Sequence, residues 1–293
     1  MVRSRTEGRL QDATTKYCAV IMAGSRGEND PVAKASGKSH KCLVEIAGIP
    51  MLIRVLDTVA SSPHIGRAVL CVEPEVQNIP EVVERVRQGT LECLDPARSP
   101  AASALRACEE LSEALPLLIV TADHPLLDIE MIDHFCSSAR AGSDVCAGVA
   151  REGLVLKNYP GSRRTVLRFA DDGYCGCNIF VLNSTSAAGA VAFWTRLEAE
   201  RKRPWRLIRM LGVGSLLRYL CRRLTLADAL AALSHKLGLE ARAIEMPFAE
   251  AAIDVDKLAD LELVEAIFNA RSAGRAWNEQ ILVDPGAKST EES

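Results

Sequence analysis

Short apolar runs alternate with stretches of helical period through the first half of the chain. Runs at 17–22, 68–72, 91–94, 117–121 and 143–149 read as buried strands. Between them, 50–61, 79–87, 101–113 and 129–141 repeat apolar side chains at the spacing of amphipathic helices. This β-α-β-α rhythm predicts an α/β fold: a mainly parallel, Rossmann-like sheet covered by helices on both faces. Such sheets bind ligands outside the carboxyl ends of their strands. Two features stand at such ends, the loop after Met22 and Asp123 after Thr121.

The second half breaks the rhythm. Segments 165–169 and 177–182 read as strands about the turn Asp171-Asp172-Gly173. Residues 184–237 are almost wholly helical in pattern and form an insertion. Segment 240–246 returns to strand, and 256–270 closes with a helix. Residues 1–16 and 280–293 read as disordered tails around one domain spanning 17–272.

Composition narrows the class. With 48% hydrophobic and 25% charged residues, the chain has the values of a globular protein. A formal net charge of −3 gives no sign of a nucleic-acid partner. The ten cysteines lie scattered, several of them inside apolar runs (Cys18, Cys42, Cys71, Cys93, Cys146), as in a reduced, cytoplasmic protein. Cys175-Gly176-Cys177 is too tight for a zinc knuckle. The opening residues do not read as a secretory signal. The uncharged run 173–195 is interrupted by Asn178, Asn183 and Ser184, and does not read as membrane-spanning.

The candidate chemistry begins at the loop after Met22. Ala23, Gly24, Ser25 and Arg26 lead through a long connection to Lys41, and an apolar run at 42–46 follows as a strand. Glycine lets backbone N–H groups approach an anion, and the cations neutralise it, so the loop suits phosphates. Ser36-Gly37-Lys38-Ser39 imitates the end of a P-loop, but Val32 stands where its first glycine belongs. The dinucleotide fingerprint fails because Arg26 takes the place of its second glycine.

Asp123 enters a loop that turns at Pro125, where one carboxylate suits Mg²⁺ or, more plainly, a turn or helix cap. His124 reads as a solvated turn residue and Asp128 as the N-cap of the next helix. Near the end, Asp254 is the better second metal ligand. Asp256 reads as an N-cap and Asp260 as a surface residue. Ser99 to Leu105 offers a helix start of small residues, including Ser103. Taken alone, it is an ordinary proline-led start; it also leaves room for a base and ribose.

Together these elements resemble the MobA-like nucleotidyltransferases of GT-A-type fold. The resemblance rests on Ala23-Gly24-Ser25-Arg26 with Lys41, Asp123-His124-Pro125-Leu126, and Ile253-Asp254-Val255-Asp256 with Asp260-Leu261. It covers about 17–183 and 239–271. It implies transfer of a nucleotidyl group from an NTP to a phosphorylated small molecule, with release of pyrophosphate. Arg26, Lys41 and Asp123 would be catalytic, and Asp123 and Asp254 would hold Mg²⁺. Ala23, Gly24, Ser25, Arg26, Lys41, Ser99 and Ser103 would bind the nucleotide. Lys157, Arg163, Arg164, Arg168 and Asn178 would face the acceptor. Against the family pattern, the loop is lengthened by 28–39, which leaves Lys38 beside Lys41 as a candidate signature lysine. The segment 99–105 lacks the Gly-Pro start of a guanylyltransferase, and its Ser-x-Leu ending leans towards CTP.

Other readings stay open at this level. A GT-A glycosyltransferase would want Asp-x-Asp after the central strand, and Asp123-His124-Pro125 lacks it. A non-catalytic nucleotide-binding protein is the third reading. Residues 184–224 carry nine cations against Glu198 and Glu200, a net +7. That segment suits a helical layer with solvated arginines, a dimer face, or weak peripheral membrane contact through 194–223. A monomer and a homodimer both fit the sequence.

Overall fold

The structure, a computed structural model, describes residues 16–25, 30–139, 142–198 and 212–274. β1 (Tyr17–Met22) is the hub. It pairs in parallel with β4 (Ile65–Cys71) on one side and β6 (Leu117–Thr121) on the other. Flanked and covered on both faces, its run Cys18 to Ile21 is almost completely buried, as expected of a continuous apolar strand in a parallel sheet. β5 (Glu92–Leu94) extends the sheet beyond β4 in parallel. Beyond β6 lies β9 (Gly173–Leu182), antiparallel to β6 and to β7 (Val145–Arg151). β10 (Ala241–Glu245) pairs in parallel with β7 at the edge, and β8 (Val166–Arg168) makes a hairpin with β9. The predicted mainly parallel α/β sheet is thus observed, with β9 as the antiparallel exception.

Helices cover both faces. α2 (Met51–Ser61) and α6 (Ile129–Ala139) bury Leu52, Leu56, Met131 and Phe135 against one side. α5 (Pro100–Glu110) and α8 (Ala187–Glu198) bury Ala104, Ala107, Ala187 and Val191 on the other. Trp194 of α8 stacks on Phe180 of β9 at 5.1 Å between ring centroids. The start of the helical insertion therefore belongs to the packed layer. Two further helices follow, α9 (Val213–Leu220) and α10 (Leu226–Leu237). Trp205 and four arginines of the basic segment, Arg201, Arg203, Arg206 and Arg209, lie outside the described residues.

The long connection from Asp30 to Lys41 has a structural role. Asp30 caps α1 (Pro31–Ala35) by accepting from the N–H groups of Val32 and Ala33 at 3.0 and 3.1 Å. Val32 then packs with Val44, Ile46, Met51, Val255, Val264 and Ile267 in a third apolar cluster. That cluster seats the connection on α11 (Leu258–Ser272). The expected strand at 42–46 is shorter. Lys41–Leu43 forms a single 3₁₀ turn, and only β2 (Glu45–Ile46) is extended. It pairs with β3 (Ile49–Pro50) across Ala47 and Gly48, both at positive φ (48° and 75°). Two such residues make the tight reversal of a type I′ hairpin, and glycine eases the second. The ten cysteines are free, and eight of them are buried. No helix among the described residues is long and apolar enough to cross a membrane.

Candidate active site

β1 and β6 end side by side, and the Ala122 N–H donates to the Met22 carbonyl at 2.9 Å. Their carboxyl ends open into a cleft of about 620 Å³. Ala23, Gly24 and Ser25 line it from one strand end, and Thr121 and Asp123 from the other. Ser99 and Ser103 at the start of α5 form a further wall, and Lys41 closes the far side. Of the nucleotide-site residues expected from sequence, these six and Asp123 meet in one cleft. Arg26 lies outside the described residues. Lys41, not Lys38, faces the cleft. Lys38 instead pairs with Glu45 at the surface.

Local structure explains the walls. Ser99 is extended and caps α5, accepting from the Ala102 N–H at 3.3 Å, with Pro100 in the first turn. The Ser103 hydroxyl accepts from the Ala97 N–H at 2.8 Å and so fixes the segment before the cap. Gly24 runs close to Pro96, and a Cβ there would stand a tight 3.2 Å from Cβ of Pro96. Two contributors were not read from the sequence. Glu73, beyond β4, accepts the Ser25 N–H at 2.7 Å and anchors the loop. Thr195 of α8 lines the cleft. No local motif marks either one, because both arrive through packing.

The acidic end is built from two distant segments. The Val255 N–H donates to the Asp123 carbonyl at 2.8 Å. The side chain of Val255 is wholly buried, so alternation along this extended stretch turns Asp254 and Asp256 the other way. Asp123, Asp254 and Asp256 each bring a carboxylate oxygen within 4.8 Å of the others. Lys41 Nζ stands 2.6 Å from Asp123 Oδ2 and 3.1 Å from Asp256 Oδ1. Asp254 accepts from Arg164 at 2.6 Å and from Asn178 Nδ2 at 2.8 Å.

Protonation follows this crowding. Burial opposes charge on Lys41, but Asp123 and Asp256 outweigh it and hold the ammonium above its ordinary pKa. Burial likewise works to raise Asp123, yet Lys41 holds its carboxyl below the usual range. Asp254 has no such lysine. Burial, then Asp123 and Asp256, push it up to about 6 despite Arg164.

Several expectations change. Asp256 is not the N-cap of α11, because its carboxylate faces Lys41. Asp260 does the capping, accepting from the N–H groups of Asp256 and Lys257 at 3.1 and 3.0 Å. Asp260 is also buried rather than on the surface, and it takes Arg164 Nη2 at 2.6 Å. His124 is buried, not solvated: its Nε2 lies 3.0 Å from the Glu250 carbonyl, and burial lowers its pKa. Asp128 does cap α6, accepting from Met131 N–H at 2.9 Å.

The expected acceptor residues divide. Asn178, at φ 50°, and Arg164 reach the acidic cluster. The guanidinium of Arg164 is already committed to Asp254 and Asp260, which is a reason to read it as support for the acids. Arg168 pairs with Glu152 and is largely exposed. Lys157, in the last turn of α7 (Glu152–Asn158), and Arg163 are exposed.

The sequence profile of the MobA-like NTP transferase domain matches residues 19–246. The chain belongs to that family. As a member it is a nucleotidyltransferase. No curated protein matches the sequence. Solved structures share the fold. A hypothetical transferase from Thermus thermophilus is 27% identical with TM-score 0.67, covering 84% of this chain and 99% of that one. The 4-diphosphocytidyl-2C-methyl-D-erythritol synthase of Anaerococcus prevotii is 12% identical with TM-score 0.51, covering 87% and 97%. A CMP:2-keto-3-deoxy-manno-octonic acid synthetase complexed with CTP is 15% identical with TM-score 0.51, covering 87% and 99%.

The acidic cluster suits the divalent ion that such transferases use. Asp123 Oδ1 is buried with no hydrogen-bond partner, and an all-oxygen donor set fits a hard cation such as Mg²⁺.

Proposed function

We propose that this transferase moves a nucleotidyl group from an NTP, CTP before GTP, to a phosphorylated small molecule and releases pyrophosphate. The observation that carries the reading is the meeting of Lys41, Asp123, Asp254 and Asp256 at the mouth of the cleft lined by Ala23–Ser25 and Ser99–Ser103. The preference for CTP rests on Ser103 and Leu105 and on the missing Gly-Pro start. The cytidylyltransferase names among structures of this fold set CTP first in a panel.

The acceptor phosphate attacks the α-phosphorus in line, the oxygen–phosphorus bond forms, and pyrophosphate leaves with its electron pair. No enzyme nucleophile is required, so the residues act by positioning and charge compensation. The backbone of Ala23–Ser25 and the N-terminus of α5 hold base, ribose and phosphates. Arg26 and Lys41 compensate the charge of the triphosphate and of the leaving pyrophosphate. Asp123 and Asp254 hold Mg²⁺, with Asp256 beside them. When bound, the ion supplies charge neutralisation at the phosphate oxygens. Arg164 and Asn178 fix the Asp254 carboxylate from behind. In this reading Asn178, Lys157, Arg163 and Arg168 are the residues assigned to the acceptor.

The test is a pyrophosphate-release screen of CTP, GTP, UTP and ATP with Mg²⁺ against phosphorylated sugars, alditols and inositols. Release with one NTP and one acceptor class, abolished in Asp123→Ala, is expected. Release that survives Asp123→Ala, or no release from any pair, refutes the reading.

A further inference from the structure

The carboxylates that suit a divalent ion already hold a cation of the chain's own. Lys41 Nζ fills the wedge between Asp123 Oδ2 and Asp256 Oδ1, at 2.6 and 3.1 Å. These are two of the three carboxylates of the 4.8 Å cluster. A divalent ion bound there draws on the same carboxylates. We propose that Lys41 is the exchangeable counter-ion of this site. Its ammonium holds the metal's place until metal and nucleotide arrive, and it then transfers to the triphosphate. The inference deepens the nucleotidyltransferase reading and rests on it.

The exchange follows from which groups touch. Asp254 and Asp260 share the guanidinium of Arg164, whereas Asp123 and Asp256 share the ammonium of Lys41. An ion held by Asp123 and Asp256 stands at close range to that ammonium, and the two cations repel in a largely enclosed site. Lys41 and Asp123 are 16% and 17% exposed, so an ammonium released there needs a new anion at once. The incoming triphosphate is that anion, and Lys41 already lines the cleft beside Ala23–Ser25. The lysine needs only side-chain rotation, because its backbone is fixed in the 3₁₀ turn and the Val44 N–H closes on the Lys41 carbonyl at 3.1 Å. Arg164 cannot play this part, since it is buried and bound on both sides by Asp254 and Asp260. The arrangement ties metal affinity to the fate of one amine: metal alone must displace Lys41 from two carboxylates with no triphosphate to receive it.

The test titrates Mn²⁺ alone, without nucleotide, into the full chain, its Lys41→Met and Lys41→Gln variants, and Asp123→Asn, reading free Mn²⁺ by electron paramagnetic resonance. Both Lys41 variants are expected to bind Mn²⁺ at least about fivefold tighter than wild type, within the ordinary range of coupling between two ligands. If removing the lysine unfolds the metal-free protein, the readout is the rise in melting temperature with Mn²⁺, expected to be larger than in wild type. Lys41 variants that bind Mn²⁺ no tighter than wild type, while Asp123→Asn loses it, overturn the exchange and leave the metal-dependent transferase intact. Mn²⁺ binding untouched by Asp123→Asn removes the metal reading, and the exchange falls with it.

Discussion

The backbone N–H of Val255 donates to the carbonyl of Asp123 at 2.8 Å, and this bond joins two acidic segments that lie far apart in the chain. Val255 is wholly buried in the cluster under α1 and α11. Its two neighbours are thereby turned towards Asp123, so the apolar residue between the aspartates does the aiming.

Asp123→Asn should lower pyrophosphate release by at least about 100-fold, the scale of losing one fixed electrostatic contact to a reacting phosphate. Steady-state rates with the best NTP–acceptor pair check this. A variant within a fewfold of wild type places the chemistry elsewhere.

Arg164 supports the fold as well as the site. Its side chain is 8% exposed and joins Asp254 and Asp260 at 2.6 Å each. Arg164→Met should cost about 3 kcal/mol of stability, because two buried carboxylates lose their cation. Urea denaturation measures it. A stable variant with only a raised acceptor KM would instead make Arg164 a direct phosphate ligand.

Asp254 gives a signed pH dependence. Burial, Asp123 and Asp256 hold its folded pKa up at about 6, above the value in an unfolded chain. The folded state therefore binds this proton more tightly. Its contribution is full at low pH and is lost as pH rises from the ordinary aspartate range through about 6. In metal-free buffer, Asp254→Asn should gain on wild type in melting temperature across that window. A constant difference would show that Asp254 is not perturbed. Mn²⁺ should also bind more weakly as pH falls below about 6, where it competes with the proton on Asp254.

The helix α9 exposes Val213, Leu217 and Leu220, and Arg218 of the same helix is tied to Asp228. With a net charge of −3 on the whole chain, anionic liposomes should sediment only a small fraction of the protein. Strong co-sedimentation that disappears at high salt would assign this face to a membrane surface.

Much of the fold was legible because its signals are local. Runs such as 17–22 and 117–121 show which strands are buried, and a serine before a proline shows where α5 starts. The roles of Asp256, Asp260 and His124 were misread for one reason. Asp256 looked like a local cap, Asp260 like a surface residue and His124 like a turn residue, and each takes its partner from elsewhere in the chain: Lys41, Arg164 and Glu250. The anchoring of the loop by Glu73 and the lining of the cleft by Thr195 were invisible for the same reason.

By itself, the sequence determined the α/β class, the strand end that opens on Ala23-Gly24-Ser25, and the acids worth following, since hydrophobic period and turn chemistry act over a few residues. Only the tertiary structure decided that the long connection packs as α1 on α11, that Arg164 braces the acids, and that Lys41 is held between Asp123 and Asp256. Those outcomes depend on which side chains share a buried volume, and burial makes each charge there seek a partner that sequence proximity does not supply.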